Sequence, residues 1–167
     1  MNEIASIFLA ASVKSMELSE QDILKCLAKL SDAQFFARGA EHENSVANIL
    51  LHLAGNLRQW ILHGVDGEAD VRERDAEFAL ELSLERSEVC ARFSTTVSEC
   101  RRVISVLSPD RLQTLIDPQP TGNWRSMTIL EAIYRIVAHL QMHTGQIILL
   151  TKQMTGRDLD LTIPRKR

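Results

Sequence analysis

Three cysteines in 167 residues, with no Cys-x-x-Cys pair among them, argue against a disulfide framework and against a thiolate zinc site. Cys26, Cys90 and Cys100 read instead as small core residues, and a reducing cytoplasmic compartment is the simpler expectation. Charge of one sign is also missing. Nineteen basic against twenty-two acidic side chains leave a net charge of −3, so nothing global favours a nucleic acid or an anionic membrane as partner. The basic end Arg165-Lys166-Arg167 is too short to change that. No apolar run approaches the ~18 residues of a membrane span. Ile4 to Ala11 is apolar, but it follows Glu3 without a basic residue and runs on into a helical pattern, which makes it a poor secretory signal.

What remains is ordinary globular composition, 45% hydrophobic and 25% charged, in a length that suits one domain spanning residues 1–167. Apolar residues recur at helical spacing in four long stretches. The first covers residues 2–30, with a shift of phase near Ser19 where a bend is expected. Ser31-Asp32-Ala33-Gln34 has the form of a capping box ahead of Phe35-Phe36, and residues 38–43 form a loop. Asn44 or Ser45 caps a second helix running to about His63 and stopping at Gly64. Residues 66–81 are charge-rich, with Arg72-Glu73-Arg74-Asp75 reading as a solvated connector. A third helix starts near Ser83 and ends before Pro109. Residues 111–125 form an irregular crossover anchored by Trp124, and Thr128 with Glu131 opens a last helix that ends at Gly156 before a short polar tail. With no convincing strand and no internal repeat, the fold class is all-α, a four-helix bundle with long crossover connections.

The chemistry gathers on three histidines. His139 and His143 stand four residues apart, so on a helix their imidazoles leave one face on successive turns, about 5–6 Å apart at Cβ. Apolar sectors flank this row on both sides, which argues against a solvent face. His52 is the other histidine well inside a helical stretch, within a narrow polar stripe of Asn48, His52, Asn56, Gln59 and His63. That stripe is either the solvent face or an inward polar seam. Leu51 and Leu62 beyond it favour the seam, with Arg58 and Ala54 marking the exposed edge. Three imidazoles on inward rows can satisfy one another by hydrogen bonds, or they can ligate one divalent ion: zinc or nickel first, iron or manganese next. Asn56 and Gln146, each one turn beyond a histidine, can orient a ligand or an imidazole, or simply bond helix to helix. His-x-x-x-His lacks the glutamate of the zincin proteases, and no general base is identifiable, so no catalytic residue is assigned.

At these positions the chain resembles the DinB-like superfamily, which includes YfiT-type candidate metal hydrolases and bacterial thiol transferases. The likeness is carried by His52 in His-Leu-Ala-Gly-Asn-Leu-Arg-Gln-Trp and by His139-x-x-x-His143-x-Gly145-Gln146-Ile147 followed by Lys152. Arg72-Glu73-Arg74-Asp75-Ala76-Glu77-Phe78 is similar to a connector of one branch of it. The resemblance implies a four-helix bundle, a divalent ion on His52, His139 and His143, and a homodimer. It also implies a small-molecule substrate, in some relatives a low-molecular-weight thiol such as bacillithiol or mycothiol. The expected function is that of a metal-dependent enzyme acting on a small thiol or electrophile. A hydrolase using metal-bound water, or a non-catalytic metal- or ligand-binding protein, is the alternative.

Overall fold

The computed structural model describes residues 3–40, 42–79, 83–119 and 126–161. Helix α1 (Glu3–Leu27) is followed by the short α2 (Asp32–Phe36). Next come α3 (Val46–Leu57), the single turn α4 (Arg74–Glu77), α5 (Arg86–Val106) and α6 (Ile129–Thr155). The four long helices make the expected bundle. α1 packs against α5 and α6, and α3 packs against the same two, so α1 lies opposite α3.

In α1 the buried positions Ala5, Leu9, Ser12, Met16, Ser19, Ile23 and Cys26 alternate four and three apart. This is the seam of a helix packing at a shallow angle. α1 runs through Ser19 without a break. Serines fill two of the seam positions, so an apolar count sees a phase shift where the buried face is continuous. Ser12 satisfies its hydroxyl on the Phe8 carbonyl at 2.8 Å. α5 buries Val89, Phe93, Val97, Cys100 and Ile104, and α6 buries Ile129, Ile133, Ile136, Leu140 and Ile147, each at helical spacing.

The caps fall where short polar side chains precede apolar runs. Ser31, Ser45 and Thr128 each accept from the backbone three residues on, and Gln34, Asn48 and Glu131 reciprocate. α6 ends on Gly156, whose φ of 63° is a left-handed C-cap. α5 starts three residues later than expected, because Glu85 rather than Ser83 occupies the cap position, with Glu88 returning the bond.

Five further features depart from the sequence reading. α3 does not remain α-helical to His63: residues Arg58–His63 form a π-helical turn, and the Cys100 thiol donates to the Leu57 carbonyl where that turn begins. A two-stranded antiparallel ribbon, Leu115–Ile116 with Met127–Thr128, closes the crossover, and two-residue strands are too short to leave a pattern. Ala54 is buried rather than at an exposed edge. Leu159 in the tail is buried as well. The connector is solvated only in part: Glu73, Arg74 and Asp75 are exposed as expected, whereas Arg72 is half-buried and Glu77 is buried. Residues 70–79 lie as a strap along α3, bonded to Asn48, His52 and Gln59 of its polar stripe. Trp124, expected to anchor the crossover, lies outside the described residues.

Candidate metal centre

The polar stripe of α3 faces inward, toward the strap and α6. Asn48, His52 and Gln59 are buried, while Asn56 and His63 are half-buried. Each buried member has a partner. Asn48 donates from Nδ2 to the Glu77 carbonyl at 2.9 Å and accepts from Arg38, whose Nη2 also donates to the Phe78 carbonyl at 3.0 Å. Gln59 donates to Asp70 Oδ2 and accepts from Arg72 Nη1, both at 3.0 Å. His63 turns to the Glu68 carbonyl at 2.6 Å, and His42 is exposed in a loop; neither joins the cluster.

His52, His139 and His143 converge. His139 Nε2 lies 3.2 Å from His52 Nε2 and 3.2 Å from His143 Nε2, and the three rings meet edge to face with centroids 4.5–5.2 Å apart. α3 brings one ring and α6 the other two, so the cluster exists only where these helices pack. His52 is buried, whereas His139 and His143 keep part of their surface and Gln146 is exposed, so the cluster opens toward solvent along α6.

The outer nitrogens are tied. His52 Nδ1 lies 2.9 Å from Glu77 Oε2, and His143 Nδ1 lies 2.6 Å from Gln146 Oε1. Both oxygens accept, which favours for both rings the tautomer with the proton on Nδ1 and an Nε2 lone pair turned inward. Of the two side chains expected to orient the imidazoles, Gln146 contacts one. Asn56 makes no hydrogen bond to any of the three among the described residues; Glu77 stands in that place.

Glu77 and Arg72 are the residues that sequence reasoning missed. Arg72 grips the Glu77 carboxylate with two bonds, Nε to Oε1 at 2.7 Å and Nη2 to Oε2 at 2.8 Å. The two side chains are only 5% and 7% exposed. Burial pushes the Glu77 carboxyl up, but the bonds from Arg72 and His52 outweigh it and hold the group below the usual carboxylate range. Phe78, the next residue, lays its ring against His52 with centroids 4.9 Å apart. One sequence signal pointed here: a buried polar stripe needs partners, and the charged connector was the nearest supply.

Burial, then the neighbouring His143 and His52, push His139 down to about 3, and burial also lowers His143. These two rings are therefore neutral at pH 7. In a neutral cluster His139 Nε2 can satisfy only one of its two neighbours, leaving a second contact with lone pair against lone pair. A cation among the three nitrogens removes that conflict. The spacing fits as well, since donors about 2.0–2.1 Å from one tetrahedral ion stand roughly 3.3 Å apart. The donor set and the geometry therefore suit a divalent ion.

A family model described as DUF1572, protein of unknown function, matches residues 3–167. The chain belongs to the DUF1572 family. No curated protein matches it. In this DUF1572 chain a helical bundle thus carries a three-histidine cluster that could hold a metal ion.

A groove of about 820 Å³ also runs between α3, the strap and α5, past Gly55, Arg72, Glu77, Arg92 and Glu99. None of the three histidines lines it. No helix among the described residues is long and apolar enough to cross a membrane.

Proposed function

We propose that this chain binds a divalent ion, zinc or nickel ahead of iron or manganese, through His52, His139 and His143, and acts there on a small thiol or electrophile. The observation that carries the reading is the inward convergence of imidazole nitrogens at 3.2 Å with the outer nitrogens of His52 and His143 already engaged. When bound, such an ion supplies Lewis acidity: three neutral donors leave it its double charge, which acidifies a thiol or a water delivered to it. Glu77 and Gln146 hold two of the rings in the ligating orientation. The half-buried edge along His143 gives a small molecule its approach. Arg72 and Arg135 add positive field around His139, which suits an anionic thiol.

The resemblance to the DinB-like superfamily supports the same class of activity, with thiol transfer ahead of hydrolysis. The three unpaired cysteines suit a reducing cytoplasm. Apolar side chains exposed on α6, among them Tyr134 and Leu149, suit the homodimer that the resemblance implies. Metal analysis of the purified protein tests the first step. A low-molecular-weight thiol added to the cobalt-substituted protein should then produce a sulfur-to-metal charge-transfer band. Ester turnover without that band would favour the hydrolase. Absence of the band and of turnover with any electrophile or ester would leave a non-catalytic metal-binding protein.

A further inference from the structure

The polar row of α3 has a gap at its centre. Asn48, His52, Gly55 and Gln59 follow at spacings of four, three and four, which is one face of the helix. Gly55 is the member without a side chain. A Cβ at that position would overlap Glu77 Oε1 and stand 2.9 Å from its Cδ, with Arg72 Nε at 3.3 Å. The carboxylate therefore sits in the notch that the missing side chain leaves. Gly145, the corresponding glycine on α6 beside the site, has nothing within 4 Å of its own missing Cβ.

Glu77 is aimed at His52 from this notch. Arg72 Nη2 carries two hydrogens, gives one to Glu77 Oε2 at 2.8 Å and also comes within 3.3 Å of His52 Nδ1, but the carboxylate is nearer to that nitrogen, at 2.9 Å. A carboxylate oxygen accepts only, which favours the His52 proton on Nδ1. Asn48 and Arg38 hold the backbone of residues 77–79, and Gln59 holds Asp70 and Arg72, so the strap is fastened on both sides of Glu77.

We propose that the strap is a working part of the site: Glu77, seated in the Gly55 notch and gripped by Arg72, is the positioning residue that sets His52 with Nδ1 protonated and Nε2 turned to His139 and His143. Gly55 is then required for the clamp rather than for helix packing, and residues 70–79 act with the metal donors although none of them is one. This inference rests on reading the three imidazoles as metal donors. Its consequence for the ring is independent of any ion.

The test uses Gly55→Ala and Glu77→Gln, with Gly145→Ala as the control carrying the same substitution where space is open. Nitrogen-15 NMR of the metal-free protein reports which His52 nitrogen bears the proton, and competition with a chromophoric chelator reports zinc affinity. The wild type and Gly145→Ala should show His52 protonated on Nδ1. Gly55→Ala should lose that preference, Glu77→Gln should keep it through its amide oxygen while losing the charge, and both should bind zinc about 10–100-fold more weakly, with their helical circular dichroism retained. A wild-type His52 protonated on Nε2, or wild-type zinc affinity in both strap variants, would overturn the proposal. If Gly55→Ala does not fold, the double variant Arg72→Met, Glu77→Leu, which removes the acceptor and both charges, decides instead: His52 still protonated on Nδ1 there would overturn the proposal. If the wild type takes up no zinc, the metal reading fails, and the His52 tautomer still decides the role of Glu77.

Discussion

Replacing Arg72 by methionine keeps most of its length and removes its charge, which leaves Glu77 buried with His52 as its remaining side-chain partner. The pair is dry, with side chains 5% and 7% exposed, and three further bonds tie Arg72 and Asp70 to Gln59 and to each other. Breaking a buried ion pair from one side costs about 3–5 kcal/mol, because the remaining charge stays desolvated. In a domain of this size each kcal/mol lowers the melting temperature by roughly 2–4 °C, so Arg72→Met should lose about 6–20 °C. The loss has a ceiling. Once it exceeds the free energy that docks residues 70–79, the strap lifts away and Glu77 regains water while the bundle stays folded. The double variant Arg72→Met, Glu77→Leu removes both charges and should recover most of the stability, since an apolar pair of similar volume replaces the ion pair at little or no cost. It should not recover metal affinity, because His52 loses its acceptor. Thermal unfolding of the metal-free proteins, with amide hydrogen exchange over residues 70–79, measures both parts. A single-variant loss under about 1 kcal/mol, the size of an exposed pair, with the strap still protected, would refute the reasoning.

Three further outcomes are expected. Because His139 is held down to about 3 against 6.5 when unfolded, the unfolded chain takes up its proton first. Stability of the metal-free protein is therefore full above about pH 6.5 and is lost as pH falls toward 3, and urea titrations should show a shallower decline in His139→Ala. Chelation should lower the melting temperature without loss of helical circular dichroism, and His139→Ala should stay folded and bind no metal, since four packed helices hold the bundle; collapse of the helical signal on chelation would make the ion structural. Thr128→Ala removes the side chain that accepts from Glu131 N at the start of α6 and should cost about 1 kcal/mol in denaturant unfolding; no change would mean the cap is idle.

Local chemistry determined the four long helices and the caps of α2, α3 and α6. Ser31 and Thr128 cap because a short oxygen side chain reaches the third amide on, and Gly156 ends α6 because its left-handed backbone suits glycine. Periodicity also placed His139 and His143 on one face, and the flanking leucines turned the stripe of His52 inward. These signals act within a few residues of one another and survive in any linear reading.

Tertiary packing decided what those faces meet. His52 and His139 are 87 residues apart, and their nitrogens reach 3.2 Å only because α3 packs on α6. Two residues of the strap escaped the sequence reading for a physical reason: Arg72 and Glu77 look solvated because charges normally are, yet here each cancels the other's desolvation. Gly55 reads in sequence as room for a close helix approach. Only the folded chain shows the carboxylate that occupies its place.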